Sequence, residues 1–342
     1  MIPLLALIVA LPSALSMPTG AAGIRPPQEL AQEDFQFVGG GITLAGNLTL
    51  PEGEGPHPVI LLTHGSEPGS RRGYGMFVDL FARQGIAVMR YDKRGVGNSE
   101  GTYIEAPDLR IPCADLLGAV SYLRAHASID AERIGVFGAS QGGWVAPMAA
   151  SMSEHIRFVV VQSAPGVSPL EQNLFDKGNQ LRRTGLSEPD LERAGAYRRA
   201  YWTYLITGAG FEAAQELHTA IASEPWFTRD NFAFPFQRRE EFLRYPILAN
   251  WALHSAYEPR LTLERVRVPL LAVFGGEDSI VPVDRSVSAF TSAFAMSGNE
   301  ALAINVIRGA DHGIRVASPE GWRAVSREYM DLMVQWVAEQ VF

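Results

Sequence analysis

Cysteine is nearly absent: Cys113 is the only one in 342 residues. A lone cysteine forms no intrachain disulfide and cannot be part of a Cys-rich zinc site. Its setting, LRIPCADLLGAV, reads as the start of a buried helix, so a core thiol is expected. Positive charge is not in excess either, since 29 Lys and Arg face 37 Asp and Glu and leave a net charge of −8. That balance lacks the basic footprint that phosphate backbones require, and it argues against nucleic acid as a partner. No H-x-x-x-H pair or Asp/His cluster with ligand spacing occurs, so no metal is expected. The glycines of YDKRGVGNSEG do not open a helix in a phosphate-binding pattern, so no nucleotide cofactor is expected. Long hydrophobic runs are missing too. The apolar opening, MIPLLALIVALPSALSMPTGAAG, is too short and too broken by Pro12 and Pro18 for a spanning helix. It has the apolar stretch and small-residue cleavage sites of a secretory leader, although no Lys or Arg precedes Arg25. Residues 1–22 are therefore expected to be a signal peptide and the protein to be exported, periplasmic or secreted, with a cytoplasmic location as the alternative.

What is present is a β/α rhythm. FQFVGGGITLAGNLTLP alternates apolar and polar residues around a glycine turn, as a hairpin does. HPVILLTHG, IAVMRYD, RIGVFG and IRFVVVQSA are continuous apolar runs ending in turn residues, the signature of strands buried on both faces. YGMFVDLFARQG, APDLRIPCADLLGAVSYLRAHA and QGGWVAPMAASM have helical spacing between them. The rhythm stops near Pro165, and residues 166–260 show helical periodicity, many charges and about half of all the aromatic residues. It resumes with PLLAVFG, VDRSVSAFTSAFAMSG, LAINVIRG and a last helix in SREYMDLMVQWVAEQ. The expectation is an α/β protein: a mostly parallel sheet with helices on both faces over 33–165 and 261–342, carrying a helical insertion at 166–260.

The chemistry centres on GASQGG. A G-x-S-x-G match alone is weak in a chain with 33 glycines. Here it follows a buried strand and opens a helix, the context that a nucleophile elbow requires. Ser140 then sits at a helix N-terminus, with the backbone N–H of Gln141 aimed into the site, where it can help hold an oxyanion. A serine hydroxyl needs a base. His312, in a short glycine-flanked loop after a strand-like run, lies where such a base belongs. His64, in LLTHGS, is expected to brace its loop instead. His57, His126, His155, His218 and His254 carry no partner signal. Asp278 in FGGEDSIVP is the carboxylate expected to orient the base, with Glu277 and Asp311 as fallbacks. The chain order Ser140, Asp278, His312 is that of the α/β-hydrolase arrangement. Asp92 and Arg94 are expected to tie down their own glycine loop as a pair.

LLTHGS, YDKRGVGNSEG, RIGVFGASQGGWVAP, FGGEDSIVP and GADHG, in that order, resemble the α/β-hydrolase superfamily. More narrowly, they resemble bacterial serine esterases near the prolyl-oligopeptidase-like and acyl-thioesterase-like branches. The resemblance covers roughly 33–165 and 262–342 and does not extend to the insertion. It implies Ser140 as nucleophile, Asp278 as acid, His312 as base, and backbone N–H donors at Gln141 and Ser66. It also implies a small-molecule ester as substrate, cleaved through an acyl-enzyme with no cofactor. Thioester or peptide cleavage by the same triad, and an idle binding scaffold, are the alternatives. A carboxylate nucleophile, as haloalkane or epoxide chemistry would want, is excluded by Ser at 140. The insertion is expected to pack a core of its own and to offer an apolar acyl or alcohol pocket, with aromatics such as Trp202 and Phe234 shaping substrate choice.

Overall fold

In the computed structural model, residues 30–228, 236–318 and 321–342 are described. The expected leader at 1–22 and Phe234 lie outside them. The chain opens with an antiparallel hairpin, β1 (Gln32–Gly39) and β2 (Ile42–Thr49), paired from Gln32↔Thr49 to Gly39↔Ile42. Gly40 and Gly41 form its two-residue turn with φ of 52° and 80°, the pair of positive values that a type I′ turn demands. Six further strands follow: β3 (His57–Thr63), β4 (Ala87–Tyr91), β5 (Ile129–Ala139), β6 (Phe158–Gln162), β7 (Leu270–Gly275) and β8 (Leu302–Ile307). The order across the sheet is β1-β2-β4-β3-β5-β6-β7-β8, with β2 antiparallel to β4 and every later neighbour parallel.

Strand residues alternate between two apolar layers, as the period of two requires. Leu61, Val136, Val159 and Leu270 face α2 (Arg110–Ala125), α3 (Gly142–Met152) and α10 (Val283–Ser297). Leu62, Phe137, Val160 and Leu271 face α1 (Gly75–Ala82) and α11 (Arg327–Val341). Each such side chain contributes roughly 1.5–3 kcal/mol by leaving water, so the two layers fix the sheet rigidly under whatever its edge carries. Cys113 is buried in the first layer, and burial pushes its thiol up to about 12, as an inert core thiol requires. A two-stranded ribbon, β9 (Arg315–Ala317) and β10 (Arg323–Val325), was not legible in the sequence, because three residues carry no period.

Between β6 and β7 the described chain is helical: α4 (Pro169–Arg183), α5 (Glu188–Thr207), α6 (Phe211–Ile221), α7 (Arg239–Phe242), α8 (Pro246–Ser255) and α9 (Pro259–Leu263). Ser168 and Ser187 cap α4 and α5 by accepting from the N–H groups of Glu171 and Asp190, each followed by a proline in the first turn. Tyr197, Tyr201, Trp202, Tyr204 and Phe242 form a separate apolar core for this segment. No helix among the described residues is long and apolar enough to cross a membrane.

Candidate active site

Ser140 lies one residue past the end of β5, with φ of 51°, a left-handed conformation unusual outside glycine. The strain is maintained by crowding. A Cβ on Gly138 would stand 2.1 Å from the Gly142 oxygen, and one on Gly142 would stand 2.8 Å from the His64 oxygen. The strand, the turn and α3 therefore close on one another, and the hydroxyl is carried at the sheet's C-terminal edge. Such strain is characteristic of functional turns.

The ends of β7 and β8 bring Asp278 and His312 together, with His312 Nδ1 2.7 Å from Asp278 Oδ2. The carboxylate is wholly buried, and its other oxygen accepts from the N–H groups of Ile280 and Val281 at 2.8 and 2.9 Å. This leaves the carboxylate fully engaged and His312 Nε2 as the free end of the ring. Among the described residues no hydrogen bond joins Ser140 to His312. The neighbouring residues Glu277 and Asp311 turn elsewhere, both toward Arg323. Ser163, at the end of β6 between the two loops, donates to the His312 carbonyl at 2.8 Å and anchors the histidine loop. Sequence reasoning passed over it, since a serine after a strand carries no distinctive signal.

Ser66 and Gln141 line the same cavity as Ser140, a space of about 480 Å³. Among the described residues neither backbone N–H has a hydrogen-bond partner. Two such donors beside a strained serine can receive a developing oxyanion. His64 is buried, with Nε2 2.8 Å from the Tyr91 carbonyl and its ring stacked on Tyr74. Burial holds its pKa below the ordinary value, as befits a neutral brace under the Ser66 loop.

Two expectations need correction. Asp92 and Arg94 do not pair with each other. Asp92 accepts from the Arg71 side chain at 2.5 Å and from the N–H groups of Arg71 and Asn98, while Arg94 grips Asp115 on α2 through two bonds. Both residues still tie their loop down, through partners too distant in sequence to be read locally. The cavity wall supplied by the helical segment is also mixed rather than apolar. Trp202 and Trp251 stand there beside Asn173, Asp176, Lys177 and Arg198. Most of the aromatics had another place, the segment's own core. His254 on α8, unmarked in the sequence, is buried at this wall. Its Nδ1 donates to the Pro107 carbonyl at 3.0 Å, and burial lowers its pKa to about 4. His126 has a partner as well, Glu33 at 2.7 Å. Among the described residues no group of three or more His, Cys, Asp or Glu side chains is gathered to hold a metal ion.

An eight-stranded, mostly parallel sheet with a strained serine after a central strand and a His–Asp pair after the last two defines the α/β-hydrolase class. Comparison with known proteins agrees. The Hydrolase_4 family model, serine aminopeptidase, S33, matches residues 54–195. The chain is 32% identical over 135 residues to the thiohydrolase aneE of Aspergillus aculeatus, covering 40% of each chain. It is 30% identical over 177 residues to the esterase EstD of Thermotoga maritima, covering 47% of this chain and 39% of that one. These matches span about two fifths of the curated relatives' length. An esterase of Pyrococcus furiosus aligns over 92% of both chains with a TM-score of 0.57 at 16% identity, a likeness of fold. The chain has the α/β-hydrolase fold, and the proteins it is similar to are serine hydrolases and esterases.

Proposed function

We propose that the protein cleaves carboxylic esters through an acyl-enzyme. Ser140 attacks the carbonyl, and His312 takes the serine proton and returns it to the leaving alcohol. Asp278 holds the His312 tautomer that leaves Nε2 free, and stabilises the imidazolium. The Ser66 and Gln141 N–H groups receive the tetrahedral oxyanion. The helical segment acts as a cap that closes the cavity above the serine.

The observation that supports this most is the pair of unpartnered N–H groups beside a serine in a left-handed turn. A tight strand-to-helix turn alone would account for the glycines, but not for two donors left open at one cavity. Similarity to a thiohydrolase favours a second reading, thioester cleavage by the same residues. The mixed cap wall fits either acyl donor.

The test is labelling with a fluorophosphonate probe, followed by rates across esters, thioesters and peptide amides of matched acyl groups. One labelled site is expected, lost in Ser140→Ala. Labelling that survives in Ser140→Ala overturns the nucleophile, and thioester rates well above ester rates favour the second reading.

A further inference from the structure

Lys93 lies two residues past the end of β4, and its side chain is buried beneath the loop that carries Ser66. Its Nζ donates to the Gly65 carbonyl at 2.8 Å and the Glu67 carbonyl at 3.2 Å, and stands 3.5 Å from Gln141 Oε1. Its backbone N–H donates to the Gly69 carbonyl at 3.0 Å. The Tyr103 ring lies 5.4 Å from the ammonium, and its hydroxyl donates to the Ser66 carbonyl at 2.5 Å. Gln141 Nε2 donates to the Glu105 carbonyl at 2.8 Å. One cation outside the triad thus touches both segments that carry the open N–H groups.

The Gly65 carbonyl and the Ser66 N–H belong to a single peptide unit. That unit is planar and trans, so its two polar groups point in opposite directions. An ammonium holding the carbonyl therefore aims the N–H away from itself and into the cavity. A charge-assisted bond also polarises the amide and strengthens its N–H as a donor. We propose that Lys93 is a positioning residue for the oxyanion site, holding the Gly65–Ser66 peptide and the Gln141 side chain so that the two N–H groups converge on the substrate carbonyl. This rests on the serine hydrolase reading above.

The geometry carries a pH signature. Burial lowers Lys93 to about 8, against the opposing pull of Glu67, Glu105 and Asp115. Glu67 and His64 face it from the loop after β3, Glu105 from the segment before α2, Asp115 from α2 and His254 from α8; Asp92 and Arg94 flank it in sequence. Burial drives the two histidines down and the tyrosines Tyr74 and Tyr91 up, away from pH 8. The ammonium therefore predominates below pH 8 and is nearly complete by about pH 7, and its hold on Gly65 weakens as pH rises through 8.

The test is steady-state hydrolysis of p-nitrophenyl acetate and butyrate from pH 6 to 9.5 by wild type, Lys93→Met and Lys93→Arg, each checked for folding by circular dichroism. The wild-type kcat is expected to fall above about pH 8. Lys93→Met should lose about ten- to a hundredfold in kcat at pH 7, less than deletion of an oxyanion donor, with KM within about threefold and no alkaline limb. Lys93→Arg, which stays charged, should recover most of the loss and move the limb beyond pH 9. A folded Lys93→Met that keeps the wild-type kcat or limb overturns the proposal, as does a wild type with no limb near 8. If Lys93→Met does not fold, the comparison with Lys93→Arg decides: the same limb in both overturns it. A wild type unlabelled by the fluorophosphonate overturns the hydrolase reading and this one together. A labelled, active wild type that is indifferent to residue 93 overturns this one alone.

Discussion

The sheet and the helical segment between β6 and β7 are built from different materials. In the sheet, β3, β4 and β7 are buried along their whole length, and the polar groups of the site stand only where the strands end. In the helical segment an aromatic cluster packs on itself, and charged and amide side chains reach the cavity from α4 and α5. Reactive geometry needs rigid support, and the parallel strands provide it. Recognition tolerates variation, and a small separate core can be remodelled without moving the serine. The contrast teaches that reactivity and selectivity should separate cleanly under mutation.

The largest effect belongs to the strand ends. Ser140→Ala or His312→Ala should lower kcat by about 10⁶ and Asp278→Ala by about 10⁴, with combined variants no worse than the worst single one, because the groups act as a unit. Steady-state rates on a short ester measure this. A Ser140→Ala or His312→Ala variant within about a hundredfold of wild type would remove the sheet from its assigned role.

Next comes the joint between the two regions. His254 on α8 pins the helical segment to Pro107, and Asn250 Oδ1 accepts from the Asp108 N–H on the same seam. The folded pKa of His254, about 4, lies below its ordinary value of 6.5. The unfolded chain therefore takes up the proton first. The contribution is full above about pH 6.5 and is lost as pH falls toward 4, up to about 3 kcal/mol. Urea unfolding at pH 7 and pH 4.5 should show this loss, and His254→Gln should flatten it. His57 and His64, also lowered by burial, leave a residual slope. Equal slopes in wild type and variant would show that the joint does not titrate.

The smallest effect is the most telling for the contrast. Trp202 lines the cavity, while Phe242, edge-on to it with centroids 6.0 Å apart, is fully enclosed in the aromatic cluster. Trp202→Ala should shift the preferred acyl length by about ten- to two-hundredfold in kcat/KM, leaving acetyl ester rates nearly unchanged. Phe242→Ala should lower stability by about 3–5 kcal/mol with little change in preference, and Trp202→Ala, cut from the same cluster, should lower stability as well as shift preference. If both variants keep the wild-type chain-length profile, selectivity must be sought in the sheet's own loops.

The parts of this molecule that could be read from sequence are those with a local cause. GASQGG advertises its turn through the glycines that steric crowding demands, and FGGED and GADHG mark loops that follow buried strands. The hairpin, the strands of the main sheet and the helical interruption followed from periodicity, and the short β9–β10 ribbon did not. What escaped depends on partners far away in the chain. Arg71 meets Asp92 only when β3 and β4 pair, and Asp115 meets Arg94 only once α2 is packed on the sheet. His254 and Lys93 acquire meaning only when α8 and the Ser66 loop come to rest beside them. The polar cavity wall was missed because aromatic residues are as ready to pack a small core as to line a pocket.

The strands on either side of the helical segment are hydrogen-bonded neighbours in parallel, paired from Val159↔Leu270 to Gln162↔Val273. The whole excursion is therefore one oversized crossover between adjacent strands, and a parallel pair needs only about a dozen residues to make that return. Its length is not dictated by the frame it departs from. The β6–β7 junction is consequently a natural splice point, where excursions from other sources could be exchanged like heads on a common handle, provided the graft restores the seam with Pro107 and leaves Ser163 in place.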